Sequence, residues 1–151
     1  LFEALMYSGR KFVTILPNND PGFKEIWRVI EALPKNQFRV IPSMRFSYFS
    51  ELMKNSSAIV GNSSAGVREA PFLGLPSLDI GSRQRARSAA DSVTNCQPND
   101  KEKILHFLEN SWGKSYPRDE SFGAGKTAEK FLKILNSPAF WENDIQKIFN
   151  E

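Results

Sequence analysis

Between residues 58 and 70 the chain runs Ala58-Ile59-Val60, then Gly61-Asn62-Ser63-Ser64-Ala65-Gly66, then Val67-Arg68-Glu69-Ala70. This reads as an apolar strand, a tight turn of small residues and the start of a helix. The first turn of a helix presents unpaired N–H groups and about half a positive charge, so it can hold a phosphate without a dedicated cation. Small side chains from Ser63 to Gly66 leave the backbone open to approach, and the hydroxyls of Ser63 and Ser64 add donors. Asn62 and Gly66 complete this cradle. Glu69 follows Ser64 by five residues, a little over one helical turn inward at about 1.5 Å per residue. A carboxylate there is wrong for phosphate but suits a vicinal diol, such as the ribose of a nucleotide. The plain reading is that Ser63 or Ser64 only caps the helix and Glu69 is solvated. The turn's place at the carboxyl end of a parallel strand, where open α/β sheets hold their ligands, favours a site.

Other chemistry is absent or imitated. Gly123-Ala124-Gly125-Lys126-Thr127 ends like a phosphate loop, but the position that should hold its first glycine is Glu120, and no apolar strand precedes it. The single histidine, His106, falls between the apolar positions of its helix and is expected to face solvent. No carboxylate pair suggests a shared acid–base site, no His/Cys grouping has metal spacing, and no cofactor is expected. The lone cysteine, Cys96, cannot form an internal disulfide and reads as a small strand residue.

The elements that must position the cradle alternate. Phe12 to Leu16 is a β-rich run, ended by the turn formers Pro17-Asn18-Asn19-Asp20-Pro21-Gly22. Phe23, Ile26, Trp27, Ile30 and Leu33 form a helical stripe stopped before Pro34. Phe38-Arg39-Val40-Ile41 is a strand, Phe46, Phe49, Leu52 and Met53 mark a helix, and Ala58-Ile59-Val60 is a strand. A helix is expected from Ala65 to Leu73, strands at residues 76–80 and 92–95, and three helical stripes thereafter. These stripes are Ile104, Leu105, Leu108 and Trp112; Ala128, Phe131, Leu132 and Leu135; and Phe140, Trp141, Ile145, Ile148 and Phe149. Residues 113–125 are polar and read as loop. Repeated strand–helix units with short, nearly continuous apolar strands predict a parallel sheet covered by helices on both faces.

With 20 basic against 17 acidic residues the chain carries +3, and the basic residues form no block, which argues against a nucleic-acid partner. No apolar run approaches the roughly 20 residues that span a bilayer, and the N-terminus lacks a signal-peptide pattern. The expectation is a cytoplasmic protein without a membrane partner. Leu1 to Tyr7 opens inside what reads as a helix, so the chain is expected to be a piece of a longer one.

Residues 60–71, Val60-Gly61-Asn62-Ser63-Ser64-Ala65-Gly66-Val67-Arg68-Glu69-Ala70-Pro71, are followed by Gly74-Leu75-Pro76-Ser77 and Ile80-Gly81-Ser82-Arg83-Gln84-Arg85-Ala86-Arg87. This stretch resembles the C-terminal half of the hydrolysing UDP-N-acetylglucosamine 2-epimerases, especially the branch that makes sialic-acid-type precursors. Pro17-Asn18-Asn19-Asp20, Arg45-Phe46-Ser47-Tyr48-Phe49 and Phe122-Gly123-Ala124-Gly125-Lys126 extend the likeness over most of the chain. The resemblance implies an α/β, Rossmann-like parallel sheet with flanking helices, the C-terminal half of a glycosyltransferase-B-type fold, truncated at its N-terminus. Residues 1–151 would be one UDP-binding domain of a two-domain enzyme.

The family pattern also implies diphosphate contacts from Ser63 and Ser64, ribose binding by Glu69, a cation from Arg83 and a position near the nucleotide for Asn18. Uracil would be read by the backbone around Met44, Arg45 and Phe46. Arg83 has a case of its own, since a guanidinium just past a strand end can bond a diphosphate bidentately; alternatively it is one of an exposed trio with Arg85 and Arg87. The family's acid–base residues lie in the N-terminal domain and in a first strand that is not seen here. The sheet is therefore expected to lack an edge or centre strand, and this chain to carry no catalytic residue and no activity alone. Expected partners are UDP or a UDP-sugar, the missing N-terminal domain and a second copy in a homodimer. Two alternatives stand beside the epimerase: the nucleotide-binding half of a glycosyltransferase, and a non-catalytic nucleotide-binding or interaction module.

Overall fold

Phe12 and Phe38 sit opposite each other in two parallel strands, their rings stacked 5.2 Å apart, and the hydrophobic core grows outward from this pair. The computed structural model describes residues 1–18 and 21–142, and divides into a unit of residues 1–119 and one of residues 120–151. In the first unit, α1 (Phe2–Tyr7) is followed by β1 (Phe12–Ile15), α2 (Phe23–Glu31), β2 (Phe38–Ile41), α3 (Phe46–Lys54) and β3 (Ile59–Gly61). A 3-10 turn (Ser64–Gly66) leads into α4 (Glu69–Phe72), β4 (Ser77–Ile80), β5 (Val93–Cys96) and α5 (Lys101–Asn110). The fold is the α/β, Rossmann-like arrangement of parallel strands and flanking helices that the alternation predicts.

All strand pairs are parallel, but they form two groups, β1 with β2 and β3-β4-β5. Among the described residues β1 and β3 each pair on one side only. Both groups nevertheless feed one core, in which Phe38, Leu78, Ile80 and Cys96 pack with Leu5 of α1, Ile30 of α2 and Ile104, Phe107 and Leu108 of α5. Trp112 closes edge-on over Phe12 and carries Arg10 on its ring face, 4.6 Å from the centroid. Burying a side chain the size of Leu78 or Phe107 contributes about 1.5–3 kcal/mol. Every residue of β4 is buried, as the middle strand of three must be.

Two expectations change. The helix expected from Ala65 to Leu73 is two short pieces, because Pro71 has no N–H to donate to Val67 and a continuous helix would lack that bond. The stripe on α2 is only half covered: Ile30 and Leu33 are buried, whereas Ile26 and Trp27 are exposed. A second cluster, Met53, Ala65, Ala70 and Leu75, seats the 3-10 turn and α4 against α3.

The second unit contains α6 (Thr127–Leu135) and α7 (Pro138–Trp141). Phe131, Leu132 and Ile134 are exposed; Phe140 and Trp141 meet edge to face, and the Trp141 indole N–H donates to the Leu135 carbonyl. Asn19 and Asp20 of the first turn cluster, and Ile145, Ile148 and Phe149 of the last stripe, lie outside the described residues.

Candidate functional site

The cradle begins where β3 ends. Gly61 has φ +152°, a backbone angle that favours glycine, and it releases the chain from the sheet into the turn. The turn then uses its own donors. Ala65 N–H bonds the Ser63 hydroxyl oxygen at 3.3 Å, Gly66 N–H bonds the Ser63 carbonyl, and Val67 and Arg68 N–H bond the Ser64 carbonyl. Ser63 is thus an N-cap, as the plain reading has it. The N–H groups of Ser63 and Ser64 make no backbone bond among the described residues. The donors left over are therefore these two N–H groups and the hydroxyls of Ser63 and Ser64, since the Ser63 oxygen accepts from Ala65 and keeps its own O–H, in place of the first turn of a long helix. A three-residue 3-10 turn also carries far less dipole than the sequence suggests.

Gly66 is buried against β4: a Cβ built on it would meet the Ser77 hydroxyl oxygen at 2.7 Å. Glycine is needed here for close approach. At the start of α4, Glu69 is half-buried, and its Oε2 is buried with no hydrogen-bond partner among the described residues. An unpaired buried carboxylate oxygen costs stability, so Glu69 stands out as an acid without a structural partner among the described residues.

Past β4, Ser82, Arg83, Arg85 and Arg87 are exposed, while Gln84 is 2% exposed. The Gln84 Nε2 donates to the Asn62 carbonyl at 3.1 Å, and its Oε1 accepts from Arg87 Nη1 at 2.8 Å. The Arg83 segment is thereby tied to the Asn62–Ser64 turn. Arg83 itself makes no hydrogen bond to a described residue, which leaves its guanidinium available.

Asn18 and Met44 are brought together elsewhere, at the carboxyl ends of β1 and β2, in an open cavity of about 460 Å³ lined also by Ile15, Leu16, Pro17, Pro42 and Ser43. Arg45 stands at the N-cap position of α3 with no capping side-chain bond, and Phe46 is 66% exposed; neither lines that cavity. The sequence-predicted residues thus fall in two groups, each at the carboxyl edge of its own strands. His106 is exposed, and Cys96 is a buried β5 residue. No group of three His, Cys, Asp or Glu among the described residues is placed to hold a metal, and no described helix is long and apolar enough to cross a membrane.

Sequence reasoning missed two residues. Gln84 lies among arginines in a loop, where no periodicity marks burial. Asp79 reads as an ordinary strand residue, yet it is 1% exposed with both carboxylate oxygens unpaired. Its register partners are Gly61 and Asn95. Two residues on from Ser77, it shares the sheet face that the 3-10 turn covers. Burial pushes its carboxyl pKa up from the ordinary value.

Fold and site together define a parallel α/β domain with a tight turn of small residues at the carboxyl end of a strand, followed by a half-buried acid. The chain belongs to the UDP-N-acetylglucosamine 2-epimerase family, whose model matches residues 1–136. It is 38% identical to the UDP-N-acetylglucosamine 2-epimerase of Neisseria meningitidis serogroup B, over 98% of this chain and 40% of the relative. It is 28% identical to the hydrolysing UDP-N,N'-diacetylbacillosamine 2-epimerase of Legionella pneumophila, over 91% of this chain and 37% of the relative. With the polysialic acid biosynthesis protein P7 of Escherichia coli it shares 32% identity, over 87% of this chain and 31% of that protein. The chain thus spans between 31% and 40% of these relatives' lengths.

Proposed function

We propose that this chain is the nucleotide-binding half of a hydrolysing UDP-N-acetylglucosamine 2-epimerase, and that residues 61–69 with Arg83 grip the UDP leaving group. The observation that carries the reading is that, within residues 63–69, the N–H groups of Ser63 and Ser64 make no backbone bond among the described residues and the Oε2 of Glu69 has no hydrogen-bond partner. The first suits a diphosphate, the second a ribose diol. In the proposed reaction, anti elimination breaks the glycosidic C–O bond, gives UDP and a glycal, and hydration of the glycal gives the 2-epimer. Negative charge grows on the diphosphate as that bond breaks. Backbone donors at Ser63 and Ser64 lower its cost, and the guanidinium of Arg83 can close on the same charge. Asn18 and the backbone at Met44, Arg45 and Phe46 would serve the base from the carboxyl ends of β1 and β2.

The interrupted sheet supports the reading of a half protein. One more parallel strand between β1 and β3, supplied by the part of the relatives' length outside this chain, would turn the order β2-β1 and β3-β4-β5 into the 3-2-1-4-5-6 row of dinucleotide-binding folds. Acid–base groups would come from that same part, giving a glycosyltransferase-B-type pair of domains, with a homodimer as the expected assembly.

Incubation of the full-length protein with UDP-N-acetylglucosamine and no acceptor tests the reaction. Release of free UDP with an N-acetylmannosamine-type sugar is the expected result, and the isolated chain should release none. Sugar transfer only in the presence of an acceptor would overturn the proposal.

A further inference from the structure

The peptide between Asn62 and Ser63 is held from one side. A trans peptide points its C=O and its N–H in opposite directions. Gln84 Nε2 donates to the Asn62 carbonyl at 3.1 Å from a buried position. The Ser63 N–H is consequently aimed away from Gln84. A rotation of this peptide would reverse the pair and put a carbonyl oxygen where the donor was, which would repel an anion.

The clamp is itself held. Gln84 Oε1 accepts from Arg87 Nη1 at 2.8 Å, so the amide cannot turn over without losing that bond and confronting the guanidinium with its NH₂ group. Arg87 N–H also folds back on the Gln84 carbonyl at 3.1 Å, and between them Ala86 sits at φ +59°, in the left-handed region. Among the described residues Ala86 is the non-glycine residue with positive φ. Strain of this kind persists where the surroundings over-determine it. Glutamine is the side chain that fits: a glutamate has no donor for Asn62 at neutral pH, and leucine of similar size has neither bond.

We propose that Gln84 is a positioning residue for anion binding: it locks the Asn62–Ser63 peptide with its N–H presented to a diphosphate, and holds the Arg83 loop against the same turn. This rests on the nucleotide reading above, and the two can fail separately.

The test uses the chain with Gln84→Leu and Gln84→Glu, titrated with UDP and with uridine, and the Ser63 amide followed by NMR. Because the clamp serves only the diphosphate, UDP affinity should fall 10- to 100-fold in both variants, while uridine affinity stays within twofold. The Ser63 amide resonance should shift and broaden as the peptide samples both orientations. An unchanged UDP affinity in folded Gln84→Leu, or an equal loss for UDP and uridine, would overturn the role. If the wild type binds no UDP, the nucleotide reading falls, and an unmoved Ser63 amide in Gln84→Leu would overturn the clamp as well. Should Gln84→Leu fail to fold, Arg87→Ala, which frees the amide to turn, must produce the same UDP-selective loss.

Discussion

The hydroxyl oxygen of Ser77 stands 2.7 Å from the point where a Cβ on Gly66 would lie, so the turn that forms the candidate site is seated on the central strand without room for a methyl group. Both residues are buried, and Ala65 of the same turn packs with Met53, Ala70 and Leu75 in the neighbouring cluster. Gly66→Ala should therefore destabilise the chain by about 1–3 kcal/mol, the usual cost of overpacking. Ser77→Ala in the same chain should recover most of that loss. Urea midpoints of the single and double variants check both, and a Gly66→Ala midpoint equal to wild type would contradict the packing.

Asp79 makes stability depend on pH with a defined sign. Its folded pKa is raised by burial, so the folded state holds this proton more tightly than the unfolded state. Its contribution is therefore intact below the ordinary carboxyl pKa and is lost as pH rises through the raised folded value. Asp79→Asn removes the charge and keeps the shape. It should match wild type at low pH and exceed it at neutral pH, because the amide has no charge to keep buried. Denaturant unfolding at several pH values measures the divergence; parallel curves would contradict it.

Ala86 holds a left-handed backbone that costs an L-residue roughly 1–2 kcal/mol. Glycine adopts it freely but loses more entropy on folding, about 0.5–1 kcal/mol. Ala86→Gly should thus gain about 0.5–1 kcal/mol, visible as a raised Tm. A lowered Tm would show that the loop does not hold this angle.

Much of the fold was legible because local pattern carries it. β2 begins and ends where Phe38 to Ile41 predicts, and β1, α2, α3 and α5 follow their apolar spacing. The Ala65 to Leu73 helix failed because its apolar pattern hid Pro71, whose missing N–H splits it. The separation of β1-β2 from β3-β4-β5 was out of reach of periodicity, since strand pairing is a long-range property that apolar runs do not specify. Within the site, Ser63, Ser64, Gly66 and Glu69 announce themselves as a cluster of small residues and an acid after a strand. Gln84 and Asp79 do not. Their importance comes from burial and from partners 22 residues away or in adjacent strands.

In the proposed function, residues 61–69 bind a nucleotide through the diphosphate at Ser63 and Ser64 and the ribose at Glu69. Calorimetric titration of UDP against the chain and its Glu69→Ala variant tests it most directly. Because the Glu69 Oε2 has no partner to lose, the variant should remain folded. It should bind UDP at least tenfold more weakly, the loss of a hydrogen bond to a charged group being about 1.5–3 kcal/mol. Uridine affinity should drop by the same factor, because the lost contact is to the ribose. UDP binding of equal strength in wild type and Glu69→Ala would contradict the account.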